Sequence, residues 1–248
     1  GNVSHHHLPL LTTSATKVFR ACPRRYRYEY VDGYRSALTP ETLAFGTLGH
    51  RGLEAWWIAA RDYPDDSTCW LEAAVAALAQ EQDPFRSARA HALIIGYHYR
   101  WIDADGAHLH KGHRVEVLAV EAEFRAPLVN PATGGESRTF QRAGKIDALV
   151  RVAGQCYTVE HKTSAEDITP GSEYWQRLTL DAQVSNYHVG ARALGYQPVG
   201  CIYDVLGKPA LRPLKATPPE ARKYVQKTGA LYANQRADDE TPAEYHTR

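Results

Sequence analysis

The sequence lacks the features that mark membrane-spanning, secreted and disulfide-rich proteins. No apolar run approaches the ~18 residues that a membrane helix needs, and the N-terminus has no signal-peptide pattern. Cysteine is scarce. The four cysteines are widely spaced and form no CxxC pair. This spacing argues against a zinc site or a disulfide framework. We therefore expect no membrane segment and a reducing, cytoplasmic location.

Two common hydrolase motifs are missing as well. The chain contains neither the GxSxG of a nucleophile elbow nor the HExxH of a zinc protease. An unrelated hydrolase that uses one of the histidines stays open only as an alternative. The apolar fraction of 44% and the charged fraction of 23% are those of an ordinary globular protein.

The formal net charge is only +1, but the positive charges are unevenly distributed. Basic residues are concentrated in two stretches, residues 14–35 and residues 207–227. Either stretch alone is typical of a solvated face. Together they could form a local positive groove that holds phosphates without reading sequence.

Hydrophobic periodicity divides the chain into a helical part and a part rich in strands. Helices are predicted over residues 14–30, 45–61, 69–80, 88–104 and 174–194. Strands are predicted over residues 116–124, 140–152, 155–163 and 198–206, with a loop at 127–137. Ser14 is the predicted N-cap of the first helix, Pro23 should bend or restart that helix, and Ala153-Gly154 should form a hairpin turn. The last strand is apolar enough to be central.

This order predicts an α/β (α+β) fold, in which a mixed central β-sheet is flanked by helices and preceded by an N-terminal helical portion. Residues 1–13, which include His5, His6 and His7, are predicted to form a disordered tail. The main domain would span residues 14–213, with a helical insert at about 62–113. Residues 214–248 would form a charged C-terminal extension.

Two neighbouring predicted strands, GKIDALVR and TVEHKTS, carry polar side chains among apolar ones. Because side chains alternate along a strand, Glu160 and Lys162 share one face and His161 points to the other. A two-residue turn would place Asp147 directly across from Glu160 on the same face. Two carboxylates beside an ammonium are costly to bury. They therefore indicate either a structural ion pair or a site for a divalent cation such as Mg²⁺.

Polar residues also recur on two of the predicted helices. His50 lies in GTLGHRGLE, and Gln183 and Tyr187 are four residues apart and so share one helix face. Alone, such a histidine is typical of a structural residue, and such a pair is typical of an ordinary helix surface.

Taken together, these segments resemble the RecB-like and phage-type exonuclease branch of the PD-(D/E)XK nuclease superfamily. Its members share a helix with GxxxH, a strand with GxxD, a strand with ExK and a helix with QxxxY, in the order found here. The opening SATKVFRACPRRYRYEY and the later YDVLGKPALRP are also similar to segments of that branch. The resemblance covers roughly residues 14–213. It implies a restriction-endonuclease-like core and metal-dependent cleavage of DNA, with exonuclease action favoured.

The resemblance also implies a role for each matching position. Asp147, Glu160 and Lys162 would be the catalytic residues. One or two Mg²⁺ or Mn²⁺ ions would be held by the two carboxylates, by His50 and by the backbone carbonyl of His161.

Further residues would line the site or hold DNA, namely Gln183, Tyr187, Arg24 and Arg25. Glu54, one helical turn beyond His50, would also face the site. The tyrosines of the opening helix could stack on unpaired bases or belong to the core.

One departure from the branch concerns iron. Some members hold an iron–sulfur cluster with one cysteine in the opening helix and three near the C-terminus. Cys22 matches the first position, but no cysteine follows Cys201. We therefore predict no iron–sulfur cluster, and we predict Cys22 to be a small buried hydrophobe.

The expected partner is DNA, as double-stranded ends or single strands, with a recombinase or a single-strand-binding protein as a further candidate. The expected setting is recombination, repair or phage DNA processing in a bacterial or phage-infected cell. The alternative is a non-catalytic nucleic-acid-binding module of a recombination or replication complex.

Overall fold

The computed structural model describes residues 8–178 and 181–248. The α-helices in these ranges are α1 (Thr13–Ala21), α2 (Pro23–Tyr26), α3 (Glu41–Asp62), α4 (Ser67–Ala77), α5 (Pro84–Trp101), α6 (Glu173–Leu178), α7 (Ala182–Ala193) and α8 (Pro242–Thr247). The strands are β1 (Leu10–Leu11), β2 (Leu109–His110), β3 (His113–Val129), β4 (Glu136–Val152), β5 (Gln155–Ser164) and β6 (Pro198–Gly207). A π-helical turn (Arg27–Val31) follows α2, and a 3-10 turn (Pro219–Ala221) precedes α8.

The opening helices begin earlier than predicted. The side chain of Thr12, rather than that of Ser14, accepts a hydrogen bond from the backbone N–H of Ala15 and caps α1. The predicted restart at Pro23 is confirmed, since Cys22 is extended and Pro23 occupies the first turn of α2. The prediction of a disordered tail is wrong for residues 10–13, which form β1 and the beginning of α1. His5, His6 and His7 lie outside the described residues.

The described strands form a mixed sheet in the order β2-β3-β4-β5-β6, with β1 added alongside β4. The pairs β3–β4 and β4–β5 are antiparallel, whereas β5–β6 and β1–β4 are parallel. The prediction of a mixed sheet flanked by helices is therefore confirmed. The predicted central position of the last strand is wrong, because β6 lies at an edge of the described sheet. Its apolar side chains are covered by helices instead, as where Trp175 packs on Tyr203.

Turn chemistry explains two boundaries around the central strands. Ala153 and Gly154 both have positive φ angles, 49° and 78°, which confirms the predicted two-residue hairpin. The predicted loop at 127–137 is shorter than expected, because β3 continues to Val129 and β4 begins at Glu136.

The predicted helix at 174–194 is two helices. The side chain of Asp181 accepts a hydrogen bond from the backbone N–H of Gln183 at 2.8 Å and caps the beginning of α7. The residues just before this cap, 179 and 180, lie outside the described ranges. The Asp181 cap therefore marks the beginning of α7 as a separate helix.

Helices bury both faces of the sheet. On one face α3, α4 and α5 surround a core whose largest fully buried side chains include Trp56, Trp70, Phe45 and Ile94. On the other face α7 packs through Tyr187 and Ala191 onto Phe124, Ile146 and Leu149. Among the described residues, no helix combines the length and apolar character needed to cross a membrane.

Candidate active site

Asp147 is fixed where the pairing of β4 and β5 ends. The last paired residues are Ala148 and Val159, and the same register places Asp147 opposite Glu160, as predicted. Instead of continuing the ladder, Oδ2 of Asp147 accepts a hydrogen bond from the backbone N–H of His161 at 2.7 Å. The carboxylate therefore bridges two strands, and its second oxygen is left for partners on α7.

Glu160 is a buried carboxylate with unsatisfied oxygens. It is 1% exposed, and Nζ of Lys162 forms an ion pair with its Oε1. Neither oxygen has a hydrogen bond of ordinary geometry among the described residues. Burial raises the pKa of Glu160, the charge of Asp147 raises it further, and Lys162 only partly opposes this. The predicted sharing of one face by the three side chains agrees with this arrangement.

Helix α7 contacts the site through the side chain of Tyr187. Nε2 of Gln183 donates to the hydroxyl of Tyr187 at 3.3 Å, and that hydroxyl donates to Oδ1 of Asp147 at 3.3 Å. Burial and the two nearby carboxylates raise the pKa of Tyr187, so the hydroxyl keeps its proton. The predicted Gln–Tyr face therefore does point at the acidic residues.

Glycines bring α7 close to the sheet. A Cβ at Gly190 would overlap the ring of Phe124, and a Cβ at Gly144 would lie 2.8 Å from the same ring. Neither position has room for a larger side chain while Phe124 stays in place. This explains the glycine of the GxxD segment, which clears space beneath α7.

Helix α3 brings His50 to the site from the opposite side. A Cβ at Gly46 or Gly49 would lie 3.5 Å from the side chain of Thr163 on β5, so the helix passes close to the sheet. Burial lowers the pKa of His50 more than the charge of Asp147 raises it. At neutral pH the imidazole is therefore uncharged and keeps a nitrogen lone pair.

Some of these groups line an open cleft of about 570 Å³, whereas Gln183 and Tyr187 line a neighbouring one. His50, Asp147 and Lys162 lie on the wall of the open cleft, and so does Glu54, as predicted. A cleft of this size admits a phosphate and its neighbouring sugars.

Three charged residues of the cleft were not singled out from the sequence, namely Arg51, Glu121 and Lys145, whereas Lys208 belongs to the second basic stretch. Continuing the β3–β4 register places Glu121 opposite Asp147, and Glu121 forms an ion pair with Lys145. Glu121 has a φ of 51°, which interrupts the regular pairing at this point. The period-two spacing of Lys145 and Asp147 was a usable signal, whereas Glu121 required the register of β3.

His161 faces away from the carboxylates, as predicted. Its ring packs 5.4 Å from that of Trp57, and its Nδ1 lies 3.2 Å from Oδ2 of Asp204 on β6. The metal-binding role of its backbone carbonyl stays a prediction.

Three predicted positions lie on the opening helices, away from this cleft. Arg25 pairs with Glu29 at 2.6 Å, and Arg24 donates to the hydroxyl of Tyr28 at 3.1 Å. Their contact with DNA stays a prediction. The prediction that Cys22 is buried is wrong, because the residue is exposed and its Sγ accepts a hydrogen bond from the backbone N–H of Arg25.

The donor set suits a hard divalent cation. Glu160 offers two buried oxygens without ordinary hydrogen bonds, Asp147 lies beside it, and His50 is uncharged. Among the described residues, no three His, Cys, Asp or Glu side chains already stand in metal-binding geometry. Lys162 instead holds Oε1 of Glu160. A cation that bound Oε1 of Glu160 would therefore have to displace the Lys162 ammonium.

The fold and this cleft define a class of protein in which a mixed sheet carries an Asp on one strand and a Glu-x-Lys on the neighbouring strand. Proteins of this class act on phosphodiester bonds. The chain belongs to the PD-(D/E)XK nuclease superfamily, since the model of that superfamily matches residues 10–247. The match confirms the resemblance and is compatible with the RecB-like branch. No curated protein matches the chain. Membership implies a nuclease-type function with DNA as the substrate, and superfamily members generally use divalent metal ions.

Proposed function

We propose that this protein is a Mg²⁺- or Mn²⁺-dependent deoxyribonuclease that hydrolyses phosphodiester bonds. The observation that carries the proposal is the position of Glu160. Its carboxylate is 1% exposed, next to Asp147 and against the ammonium of Lys162, beside a cleft open to a large substrate. A protein seldom retains such a costly cluster for stability alone.

Asp147 and Glu160 would hold the cation, with His50 and the backbone carbonyl of His161 as additional ligands. The bound ion would supply Lewis acidity toward water and toward the phosphate. The register of β4 and β5 and the hydrogen bonds from His161 and Tyr187 pre-position the Asp147 carboxylate, which reduces the reorganisation needed on binding.

Lys162 would act on the substrate directly. Its side chain is 32% exposed while its ammonium reaches Glu160, so it can turn between the buried carboxylate and the cleft. From the cleft its N–H groups can orient the attacking water and stabilise the charge that develops on the phosphate. Lys145 and Lys208 line the same cleft and would attract the DNA backbone.

We further infer exonuclease action in recombination, repair or phage DNA processing, with a recombinase or single-strand-binding protein as a partner. The support is the resemblance of the ordered motifs to RecB-like and phage-type exonucleases. Four unpaired cysteines also suit the cytoplasm of a bacterial or phage-infected cell.

The test is digestion of end-labelled linear DNA and of covalently closed circular DNA with Mg²⁺, Mn²⁺ or EDTA. We expect metal-dependent loss of linear DNA and survival of the circles. Lys162→Ala should abolish cleavage and retain metal-dependent DNA binding. Lys111→Gln, an exposed change in the turn before β3, is the matched control.

Wild-type cleavage by the Lys162→Ala variant would refute the assignment of the lysine. Calorimetry with Mg²⁺ separates the nuclease from a non-catalytic binding module. Heat of binding that disappears in an Asp147→Asn variant supports the nuclease, and no binding above background favours the module.

A further inference from the structure

Two further clefts continue from the candidate active site along the sheet. The first, of about 630 Å³, shares Lys145 with the site and is also lined by Gln183 and Tyr187. The second, of about 540 Å³, shares Thr12, Thr13 and Asn186 with the first. We call these three neighbouring clefts, which share wall residues, the trough. It leads from the acidic residues to α1.

The far end of the trough is basic. Its wall there includes Lys17, Arg20 and Arg142. Arg20 and Arg142 form no ion pair with an acidic side chain of the described chain, whereas Lys17 pairs with Asp181. Guanidinium groups without an acidic partner are suited to phosphates.

Next to Arg20 and after it in the chain, aromatic rings form two groups of contacts, Phe19, Tyr26 and Tyr30 in one and Tyr28 and Tyr34 in the other, and we call these five rings together the aromatic patch. Phe19, Tyr30 and Tyr34 are 51%, 41% and 67% exposed. Neighbouring rings support one another, since Tyr26 stacks on Tyr30 at 5.3 Å and Phe19 meets Tyr26 edge-on at 5.4 Å. These exposures exclude the alternative that the patch belongs to the core.

Arginines lie over the same rings. The guanidinium carbons of Arg24 and Arg35 stand 5.9 Å from the ring centres of Tyr28 and Tyr30. Exposed aromatic faces alternating with arginine match both parts of an unpaired nucleotide, its base and its phosphate. Paired bases have no free face to offer, so a duplex would use only the charges.

We propose that the trough and the aromatic patch bind single-stranded DNA, so that the nuclease acts on a DNA end whose strand has separated from its complement. The proposal rests on the proposed function, because the trough ends at Asp147 and Lys162. Phosphates would follow the basic wall, and bases beyond the trough would stack on Phe19 and Tyr30. The wall residues shared by neighbouring clefts would give the strand one path from the patch to the site.

The test measures binding separately from cleavage. Fluorescence anisotropy in EDTA would compare a labelled oligothymidylate of about 20 nucleotides with a blunt duplex of the same length. The Phe19→Ala/Tyr30→Ala variant removes two exposed rings and leaves every arginine in place. Tyr99→Ala, which removes a tyrosine that is 68% exposed on α5, is the matched control.

We expect the wild-type protein to prefer the single strand. The double variant should lose at least about 10-fold in affinity for the single strand and bind the duplex as before. The Arg20→Ala/Arg142→Ala variant should bind both substrates more weakly, and its binding should depend less on salt. The Tyr99→Ala control should match the wild type, and circular dichroism should show that every variant is folded.

Equal wild-type affinity for the two substrates, or a folded double variant that binds the single strand normally, would overturn the proposal. The second result would indicate that another partner covers the patch. The two proposals can fail separately. Selective binding without any cleavage refutes only the nuclease function, and cleavage without strand preference refutes only the single-strand site.

Discussion

His161 and Asp204 face each other across the parallel strands β5 and β6, with Nδ1 of the imidazole 3.2 Å from Oδ2 of the carboxylate. Both side chains are buried, at 4% and 10% exposure. Since His161 stands between Glu160 and Lys162, this contact holds β5 on the face opposite to the carboxylate of Glu160. We therefore infer that Asp204 would act as a positioning residue, through its contact with His161.

We predict that Asp204→Ala lowers the cleavage rate by about 10-fold, because one buried hydrogen bond to a charged group is worth about 1.5 kcal/mol. Asp204→Asn should restore most of the rate, since its carbonyl can still accept from Nδ1. Initial rates at saturating metal and DNA provide the measurement, and the exposed Asp239→Ala serves as the control. A folded Asp204→Ala variant with the wild-type rate would contradict the prediction.

Removing the hydroxyl of Tyr187 should weaken the hold on Asp147. Tyr187→Phe loses the 3.3 Å hydrogen bond to Oδ1, and we expect kcat/KM to fall by about 10-fold. Gln183→Ala should have a smaller effect, because it contacts the acid only through Tyr187. Steady-state kinetics of both variants test this order. A larger loss of kcat/KM for Gln183→Ala than for Tyr187→Phe would contradict the prediction that Gln183 acts through Tyr187.

Glu160 should destabilise the metal-free protein. Its carboxyl ionises near its ordinary pKa of 4.5 when unfolded, but burial and Asp147 raise its pKa in the folded state. Stability is therefore lost as the pH rises from 4.5 through the higher folded pKa.

Accordingly, Glu160→Gln should abolish cleavage and yet raise the Tm in EDTA at neutral pH, by about 2–4 °C for ~1 kcal/mol in a chain of this size. The gain should disappear below about pH 4, where both states of the wild-type carboxyl are protonated. Thermal unfolding scans across pH measure this change in Tm. A lower Tm for the variant at neutral pH would disprove the prediction that the buried charge of Glu160 destabilises the fold.

His108 should make the protein sensitive to acid. Its ring packs 5.0 Å from Trp56 and 4.9 Å from Trp57, and burial lowers its pKa from 6.5 to about 3. The unfolded chain binds a proton near pH 6.5 and the folded chain does so only near pH 3. Stability is therefore lost as the pH falls through this interval, on the order of 4 kcal/mol by pH 3.

His108→Phe keeps the ring packing and removes the titration. We expect its acid unfolding midpoint, followed by tryptophan fluorescence, to lie at lower pH than that of the wild type. The exposed His113→Phe is the control. An unchanged midpoint in His108→Phe would show that acid sensitivity arises elsewhere.

Local rules were sufficient for the centre of the site. The positive-φ turn at Ala153-Gly154 fixes the hairpin, and the hairpin register fixes Asp147 opposite Glu160. Helical spacing likewise fixes Gln183 and Tyr187 on one face. Each of these relationships spans few residues or follows from one regular period.

The wrong predictions involve long-range packing. The edge position of β6 depends on which strands pair with it, and the exposure of Cys22 depends on what packs against the break between α1 and α2. Glu121 joins the cleft only through the register of β3, which contains an irregularity between Val117 and Ala119. None of these is encoded within a short window of sequence.

The ring of Phe124, held between Gly144 and Gly190, works as a spacer between the sheet and α7. The thickness of this ring sets the distance between the hydroxyl of Tyr187 and the carboxylate of Asp147, which lies 40 residues earlier in the chain. A single added methyl group on either side would widen that separation and detach the phenol from the acid. The contact between Tyr187 and Asp147 thus depends on the small side-chain volume at Gly144 and Gly190, two positions that carry no functional group.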